Sequence, residues 1–416
     1  MELTELRAKD IRSLREVGGE LKIRNAQHLK KEDLLRAIME YFSRAGDLHF
    51  AQGVLEILPD GYGFLRSGNC LPERTDIYVS PSQIKRFGLR NGDLVGGDIR
   101  VPKNDERYFA LLKVKQVNYG DPERALDRPE FQELTPLHPE EHLQLEHDPE
   151  DISTRIIDLF CPIGKGQRGL IVSPPKAGKT TLLKKIANGV LANYPDVKLF
   201  VRLVDERPEE VTDFRRSILG GDVVAATFDQ QPRHHTRIAE LVTDRAKRLV
   251  EVGFDVVILM DSVTRLARAY NLSVAPSGKL LSGGMDPTAL YKPKEFFGAA
   301  RNIEEGGSLT VIATALVDTG SKLDQVVFEE FKGTGNMELI LDRTLSNKRI
   351  YPAIDVEQSG TRKEELLLSS KVLNRVWILR KMMSGLNDVQ KALEVVKSKM
   401  EATKDNEQFL ELMNSD

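Results

Sequence analysis

The chain has 416 residues, 60 basic against 63 acidic for a formal net charge of −3, and a hydrophobic share of 40%. That length suggests two to four domains with ordinary cores and excludes wholesale disorder, while the charge balance excludes a global pull on nucleic acid and leaves only a local binding face. Two cysteines, Cys70 and Cys161, exclude a disulfide framework or zinc spacing, and neither a leader-like start nor a membrane-length apolar run is found, so a cytoplasmic protein without membrane insertion is expected.

Residues 1–47 read as a small helical module. Leu34, Leu35, Ile38, Met39 and Phe42 recur at helical spacing. Asp10 is placed to cap an earlier helix, and Gly18-Gly19 to end it. Its composition fits packing or tethering as well as binding. From 48 to 118 the pattern turns to short strands, around Val54–Leu58, Ile77–Val79, Asp98–Val101 and Tyr108–Val117, with Pro59-Asp60-Gly61 as a turn. That pattern predicts a small OB-fold or cold-shock-like β-barrel. Residues 119–150 hold ten Asp or Glu against two Arg, with five prolines, and predict an extended acidic connector. After 151, apolar runs at Gly169–Val172, Lys198–Val204, Val256–Met260 and Leu309–Ala315 alternate with helical stretches. This predicts a multidomain α/β chain whose largest domain, 151–416, carries a mainly parallel sheet. The last fifty residues predict a helical terminal subdomain.

Within the barrel segment, Asp60-Gly61-Tyr62-Gly63-Phe64-Leu65-Arg66 is similar to the aromatic strand of RNA-binding barrels. Alternation puts Tyr62, Phe64 and Arg66 on one strand face. Bases stacking on exposed rings gain ~1–3 kcal/mol each. Tyr78, Glu106, Arg107 and Tyr108, on other strands, are candidates to line the same cleft. The competing reading is that Tyr62 and Phe64 are core aromatics. Glycines on both sides of Tyr62 weigh against it, because they leave room for a base and add nothing to a core.

In the α/β segment, a strand ending near Val172 runs into Ser173-Pro174-Pro175-Lys176-Ala177-Gly178-Lys179-Thr180 and then a helix from Thr181. This is a P-loop with Ser173 in place of the first glycine. Gly178 lets backbone approach phosphate, the helix N-terminus offers free N–H groups, Lys179 reaches the β- and γ-phosphates, and Thr180 is a Mg²⁺ ligand. The run Val256–Met260 ends in Asp261, where P-loop enzymes hold Mg²⁺ through water. Leu203-Val204 delivers Asp205, Glu206 and Arg207. Glu206 is the candidate to polarise the attacking water, and Arg207 falls in the nucleotide pocket. Glu209 and Glu210 read as acids of a helix first turn. Arg362, just before a helix and after a glycine turn, is the leading candidate to neutralise transition-state charge, with Arg265 and Arg349 behind it. Composition alone would leave each of these arginines on the surface.

Together these motifs resemble the Rho family of transcription termination factors, which are hexameric ATP-dependent RNA helicases of bacteria. The resemblance spans nearly the whole chain. It is carried by Tyr-Val-Ser-Pro-Ser-Gln-Ile (78–84), Glu-Arg-Tyr-Phe-Ala-Leu-Leu-Lys-Val (106–114), Pro-Pro-Lys-Ala-Gly-Lys-Thr (174–180), Asp-Glu-Arg-Pro-Glu-Glu-Val-Thr (205–212), Asp-Ser-Val-Thr-Arg-Leu-Ala-Arg-Ala-Tyr-Asn (261–271), Phe-Lys-Gly-Thr-Gly-Asn-Met-Glu-Leu (331–339) and Ser-Gly-Thr-Arg-Lys-Glu-Glu-Leu-Leu (359–367). It implies a RecA-type ATPase domain, ATP and Mg²⁺ as cofactors, and a homohexameric ring. It also implies a primary site for single-stranded, pyrimidine-rich RNA at Tyr62, Phe64, Arg66, Tyr78, Glu106 and Tyr108. Lys279 and Leu280 would sit on one central-pore loop, and Thr319 and Lys322 on the second. Lys176 would be a second phosphate-proximal lysine, Arg362 an arginine finger serving the neighbouring subunit, Arg349 its helper, and Tyr351 the ring that packs on adenine. The implied function is 5′→3′ translocation that strips nascent RNA from the RNA polymerase elongation complex. Two rivals share parts of this pattern: a rotary ATP synthase-type catalytic subunit, and an RNA-binding regulator that does not hydrolyse nucleotide.

Overall fold

The computed structural model describes residues 5–6, 9–44, 49–102, 106–386 and 388–412. The expected boundary between helical module and barrel, at 47/48, lies outside the described residues. The chain divides into two compact units, 1–133 with 237–252, and 134–236 with 253–416. Among the described residues no helix is long and apolar enough to cross a membrane.

The first unit begins with helices Ile11–Glu20 and Lys31–Arg44. Asp10 caps the first by accepting from the Ser13 N–H at 2.7 Å. Leu34, Leu35, Ile38 and Met39 are buried as their spacing predicts. Gly18-Gly19 does not end the helix, which runs on to Glu20. A Cβ on Gly18 would stand 2.9 Å from Leu34 and 3.0 Å from Ala26, so this glycine serves close helix packing rather than a stop.

Five strands follow: β1 (His49–Ile57), β2 (Gly63–Arg66), β3 (Ile77–Val79), β4 (Leu94–Arg100) and β5 (Phe109–Val117). They close as a barrel in the order β1-β2-β3-β5-β4. Closing five short strands demands sharp bending, and β4 supplies it at Gly96-Gly97. There its register with β5 shifts, and a Cβ on Gly97 would lie 2.0 Å from the Lys113 carbonyl oxygen.

Residues 119–150 are not a free connector. The stretch has little regular structure, but Phe131, Leu134, Leu143 and Leu145 are buried. In the first unit Arg128 grips the buried Asp93 at 2.5 and 2.6 Å, and the Phe131 N–H donates to Glu251 at 2.8 Å. In the second, the Asp158 carboxylate accepts from the Leu145 and Glu146 N–H groups. Acidic composition signalled solvation, but scattered apolar residues, one buried ion pair and backbone hydrogen bonds to two buried carboxylates hold the backbone down.

The second unit is a nine-stranded sheet flanked by helices. Its strands are β6 (Pro136–Leu137), β7 (Arg168–Ser173), β8 (Lys198–Glu206), β9 (Asp222–Thr227), β10 (Asp255–Asp261), β11 (Arg301–Ile303), β12 (Ser308–Leu316), β13 (Met337–Ile340) and β14 (Gly360–Thr361). The main path runs β14-β13-β7-β12-β10-β8-β9, with every pair from β13 to β9 parallel. The four expected strands are β7, β8, β10 and β12, whose apolar runs are buried on both faces. Helices Ser370–Ser384, Val389–Glu401 and Asn406–Leu412 make the terminal subdomain.

Gly97→Ala places a methyl inside the van der Waals radius of a backbone oxygen. It should move the first denaturant transition of the full chain down by about 1–3 kcal/mol, read by urea titration followed by circular dichroism.

Candidate nucleotide and nucleic-acid sites

Parallel pairing brings the ends of β7, β8, β10 and β12 to one edge of the sheet, the edge where open α/β folds hold ligands. β7 ends at Ser173, β8 at Glu206 and β10 at Asp261. The loop after β7 turns through Lys176 at φ +67° and Gly178 at φ +93°, and the helix Lys179–Asn193 starts there. Gly178 brings no side chain to cap this helix, so its first-turn N–H groups face the loop cavity.

The Lys179 ammonium lies 2.5 Å from Asp261 Oδ2 and 3.4 Å from Glu206 Oε1. Asp261 is fully buried, and its Oδ1 accepts from the Thr314 hydroxyl of β12 at 2.8 Å. Arg265, on the helix Val263–Ser273 that follows β10, stands 3.4 Å from Glu206 and donates to the Asp205 carbonyl. Glu206 is 3% exposed. Its pKa is raised to about 7: burial pushes it up most, Lys179 and Arg265 pull it down, and Asp261 pushes it up.

Lys179, Glu206 and Arg265 line a cleft of about 1020 Å³, and Asp261 is buried against Lys179. The cleft walls include Pro175, Lys176, Ala177, Gly178, Lys179, Thr180, Thr181, Glu206, Arg207, Arg265 and Tyr351. Ser173 and Pro174 are buried beneath the loop. Tyr351 is 41% exposed, and its ring would be 3.6 Å from a Cβ on Gly178. Ile152, Lys185, Leu341, Lys397 and Glu401 also line the cleft. No motif pointed to them, since they come from elements far along the chain that carry no phosphate-binding pattern. The Lys397 ammonium reaches the Tyr351 carbonyl at 3.3 Å.

Arg362 and Arg349 stand apart from this cleft. Arg362 is exposed and lines a second cleft of about 580 Å³ beside β13 and β14. Arg349 is exposed at φ +61°, just past the helix Arg343–Asn347.

The two expected pore loops touch. Lys279 and Leu280 are exposed on the first, and Lys322 on the second. The first loop is fixed by Asp286, which accepts from the Ser277 N–H at 2.7 Å, and by Asn271, which donates to the Gly284 carbonyl at 3.2 Å. Thr319 is not free for a ligand as expected. Its hydroxyl donates to Asp324 at 2.6 Å, and Arg268 holds the same carboxylate at 2.8 and 2.6 Å. Gly283, at φ +74°, packs so closely that a Cβ would be 2.3 Å from the Leu323 nitrogen.

In the first unit, four rings cluster on the barrel. Tyr62 lies in the turn just before β2, and Phe64 within it. Ring centroids stand 5.8 Å apart for Tyr62–Phe64, 5.7 Å for Tyr62–Tyr78 and 4.7 Å for Phe64–Tyr108. Phe64 is only 8% exposed and forms the floor, while Tyr108 is 37% exposed. The core reading therefore applies to Phe64 and not to the half-buried Tyr62. Arg66 shares the face as expected, its guanidinium 4.9 Å from the Phe64 centroid, but it is 4% exposed. It is closed in by Glu56 at 2.6 Å and by the fully buried Asp76, so it buttresses the floor rather than offering a free cation. Beside the rings a groove of about 610 Å³ is lined by Tyr78, Arg100, Glu106, Arg107 and Tyr108. Arg100 fixes the Glu106 carboxylate at 2.5 and 2.8 Å.

Three family models match the chain. Residues 5–46 match the family model "Rho termination factor, N-terminal domain", 51–123 "Rho termination factor, RNA-binding domain", and 153–361 "ATP synthase alpha/beta family, nucleotide-binding domain". Transcription termination factor Rho of Thermotoga maritima is 55% identical over 416 residues, covering 100% of this chain and 97% of the relative. Those of Bacillus subtilis and Escherichia coli K12 are 55% and 53% identical, covering 100% and 99% of this chain and 96% and 99% of theirs. Among solved structures, the type III secretion ATPase EscN of enteropathogenic E. coli aligns with TM-score 0.57 at 22% identity, over 75% of this chain and 78% of that one. That likeness is one of fold, which reduces the rotary-ATPase alternative to a distant shared architecture. With a barrel that matches an RNA-binding domain, a P-loop sheet that matches an ATPase domain, and relatives alike from end to end, the chain belongs to the transcription termination factor Rho family.

Proposed function

We propose that this chain is an RNA-dependent ATPase that forms a ring of six, moves 5′→3′ along single-stranded pyrimidine-rich RNA, and releases nascent RNA from RNA polymerase in the cytoplasm. In this reading residues 1–47 are a helical module, 48–118 the RNA-loading barrel, 119–150 the connector and 151–416 the motor. The observation that carries it is the split between two clefts of one unit. Lysine and both acids stand at the P-loop, while the exposed Arg362 lies on a separate cleft. Such a split supports a nucleotide site completed by the next copy's guanidinium.

The chemistry follows from the groups in the cleft. Backbone N–H groups at the start of helix Lys179–Asn193, with Lys176 and Lys179, cradle the polyphosphate. On binding, the Lys179 ammonium exchanges Asp261 and Glu206 for phosphate oxygens. Glu206, relieved of one of its two cations and held in a buried site, takes the proton of the attacking water. Arg265 orients Glu206, and Arg362 with Arg349 neutralises charge on the neighbour's transferring phosphoryl group. Tyr351 packs on the base, and Arg207 covers the phosphates. Oxygen donors suit Mg²⁺, which keeps most of its waters and takes one or two protein ligands. The Thr180 hydroxyl and the Asp261 carboxylate fit that role, and the ion would offset phosphate charge. On the barrel, Tyr62, Tyr78 and Tyr108 offer ring faces to bases. Glu106 and Arg107 line the groove where a pyrimidine edge would enter. Lys279, Leu280 and Lys322 grip the RNA backbone, and Thr319 shapes its loop through Asp324.

Hydrolysis should rise at least tenfold on adding polycytidylate. Lys179→Ala and Arg362→Ala should each abolish the stimulated rate, whereas rings mixed from the two variants should recover part of it, as measured by phosphate release. Turnover that ignores RNA would favour the rotary-ATPase alternative, and tight ATP binding without phosphate release would favour a regulator. For Glu206 the folded pKa is raised, so between about 4.5 and 7 the folded chain keeps a proton that the unfolded chain has shed. The group therefore favours the fold at the acid end and loses that contribution as pH passes 7. The rate should run the other way, climbing through about pH 7 as the base ionises, and a Glu206→Gln pH–rate profile should be low and flat. Tyr108→Ala should weaken polycytidylate affinity about 5- to 100-fold in a filter-binding assay without lowering the barrel's stability. Phe64→Ala should cost about 3–5 kcal/mol of stability, because its ring is the floor.

A further inference from the structure

The turn that carries Arg362 is pinned on one side only by the sheet. Upstream, β14 pairs with β13 at Met337–Thr361, the Arg362 N–H donates to the Asn336 carbonyl at 2.9 Å, and the Thr361 hydroxyl donates to the Pro162 carbonyl at 2.7 Å. Downstream, Lys363 takes a left-handed φ of +58°, which costs a non-glycine residue roughly 1–2 kcal/mol, and a short 3-10 turn spans Glu364–Leu366. The held geometry needs a clamp, and helix Ser370–Ser384 supplies one. The Trp377 indole N–H donates to Glu364 Oε1 at 2.9 Å. Arg380 lies 3.8 Å from Glu364 Oε2 and donates to the Ser359 carbonyl at 2.9 Å, the Val356 carbonyl at 3.2 Å and the Phe160 carbonyl.

Trp377 is 52% exposed, so water could serve its N–H. The bond to Glu364 therefore adds little to stability, and its effect is geometric. We infer that Trp377 is a positioning residue for Arg362, holding through Glu364 the turn on which that guanidinium is carried. This rests on the reading of Arg362 as the group that completes a neighbouring copy's nucleotide site. A displacement near 1 Å is enough to cost about a hundredfold in rate when a reacting group is misplaced. Loosening one of several clamps should cost less.

The test is steady-state ATP hydrolysis by the full-length assembled ring with saturating polycytidylate. Trp377→Phe keeps the ring packing and removes the donor. It should lower kcat about 5- to 10-fold while KM for ATP stays within about twofold. Glu364→Ala should give the same split, and does so independently should Trp377→Phe fail to assemble. Glu364→Gln keeps an acceptor oxygen for the indole and should hold kcat within about twofold of wild type. The Trp377→Phe, Glu364→Ala double variant should be no slower than the worse single. Wild-type kcat in both Trp377→Phe and Glu364→Ala overturns the inference, as does a loss that is additive in the double variant or unrescued by glutamine. Arg362→Ala separates the two readings. If it keeps full turnover, the role of Arg362 itself fails; if it is dead while Trp377→Phe is normal, only the clamp fails.

Discussion

One ammonium between two buried carboxylates governs the architecture of the second unit. Asp261 has no exposed surface and Glu206 almost none. Leaving either without a cation would cost about 3–5 kcal/mol. The parallel register fixes where they meet. Asp261 pairs with Leu203 across β10 and β8, and Thr314 comes up beside Asp261 on β12. A helix that starts at Lys179 must then point its first side chain into that corner. A one-residue slip of β8 or β10 would turn the acid away from the lysine. The placing of the lysine and both acids and the strand register are thus a single constraint, and charge removed from water is what enforces it.

The barrel solves a different problem with the opposite use of charge. Aromatic rings meant for a ligand are themselves apolar and tend to collapse inward. Here one ring, Phe64, has done so and supports the others, with Arg66 braced beneath it by Glu56 and Asp76. The sacrificed ring and the enclosed arginine keep Tyr62, Tyr78 and Tyr108 from sinking after them. Arg237 adds a second guanidinium to Glu56 at 2.6 Å, so the brace is a network and not a lone pair.

Much of this was legible in residue order, and the limits were physical. Apolar runs ending in acid named β8 and β10 and their carboxylates, because a buried parallel strand reads as continuous hydrophobicity. The P-loop was readable because its chemistry is local, eight residues and a helix start. Arg66 was misread because alternation tells which face a side chain takes, not whether Glu56 and Asp76 will close over it. The pairing of the Thr319 hydroxyl with Asp324 was hidden for the same reason. Gly18 read as a helix stop, and its closeness to Leu34 and Ala26 explains its presence inside the helix. Lys397 and Glu401 were invisible because they reach the cleft from some two hundred residues away, without a pattern of their own. The acidic stretch 119–150 misled because composition averages over the few apolar side chains that anchor it.

The contact of Gly283 with the backbone at Lys322-Leu323 has a mechanical consequence. Two loops separated by forty residues meet with no side chain between them, so neither can slide past the other without a clash of main chain. They mesh like teeth, and both are tied to helix Val263–Ser273, the first as its continuation and the second through Arg268 on Asp324. The stiffness of that linkage resides in an atom glycine does not have.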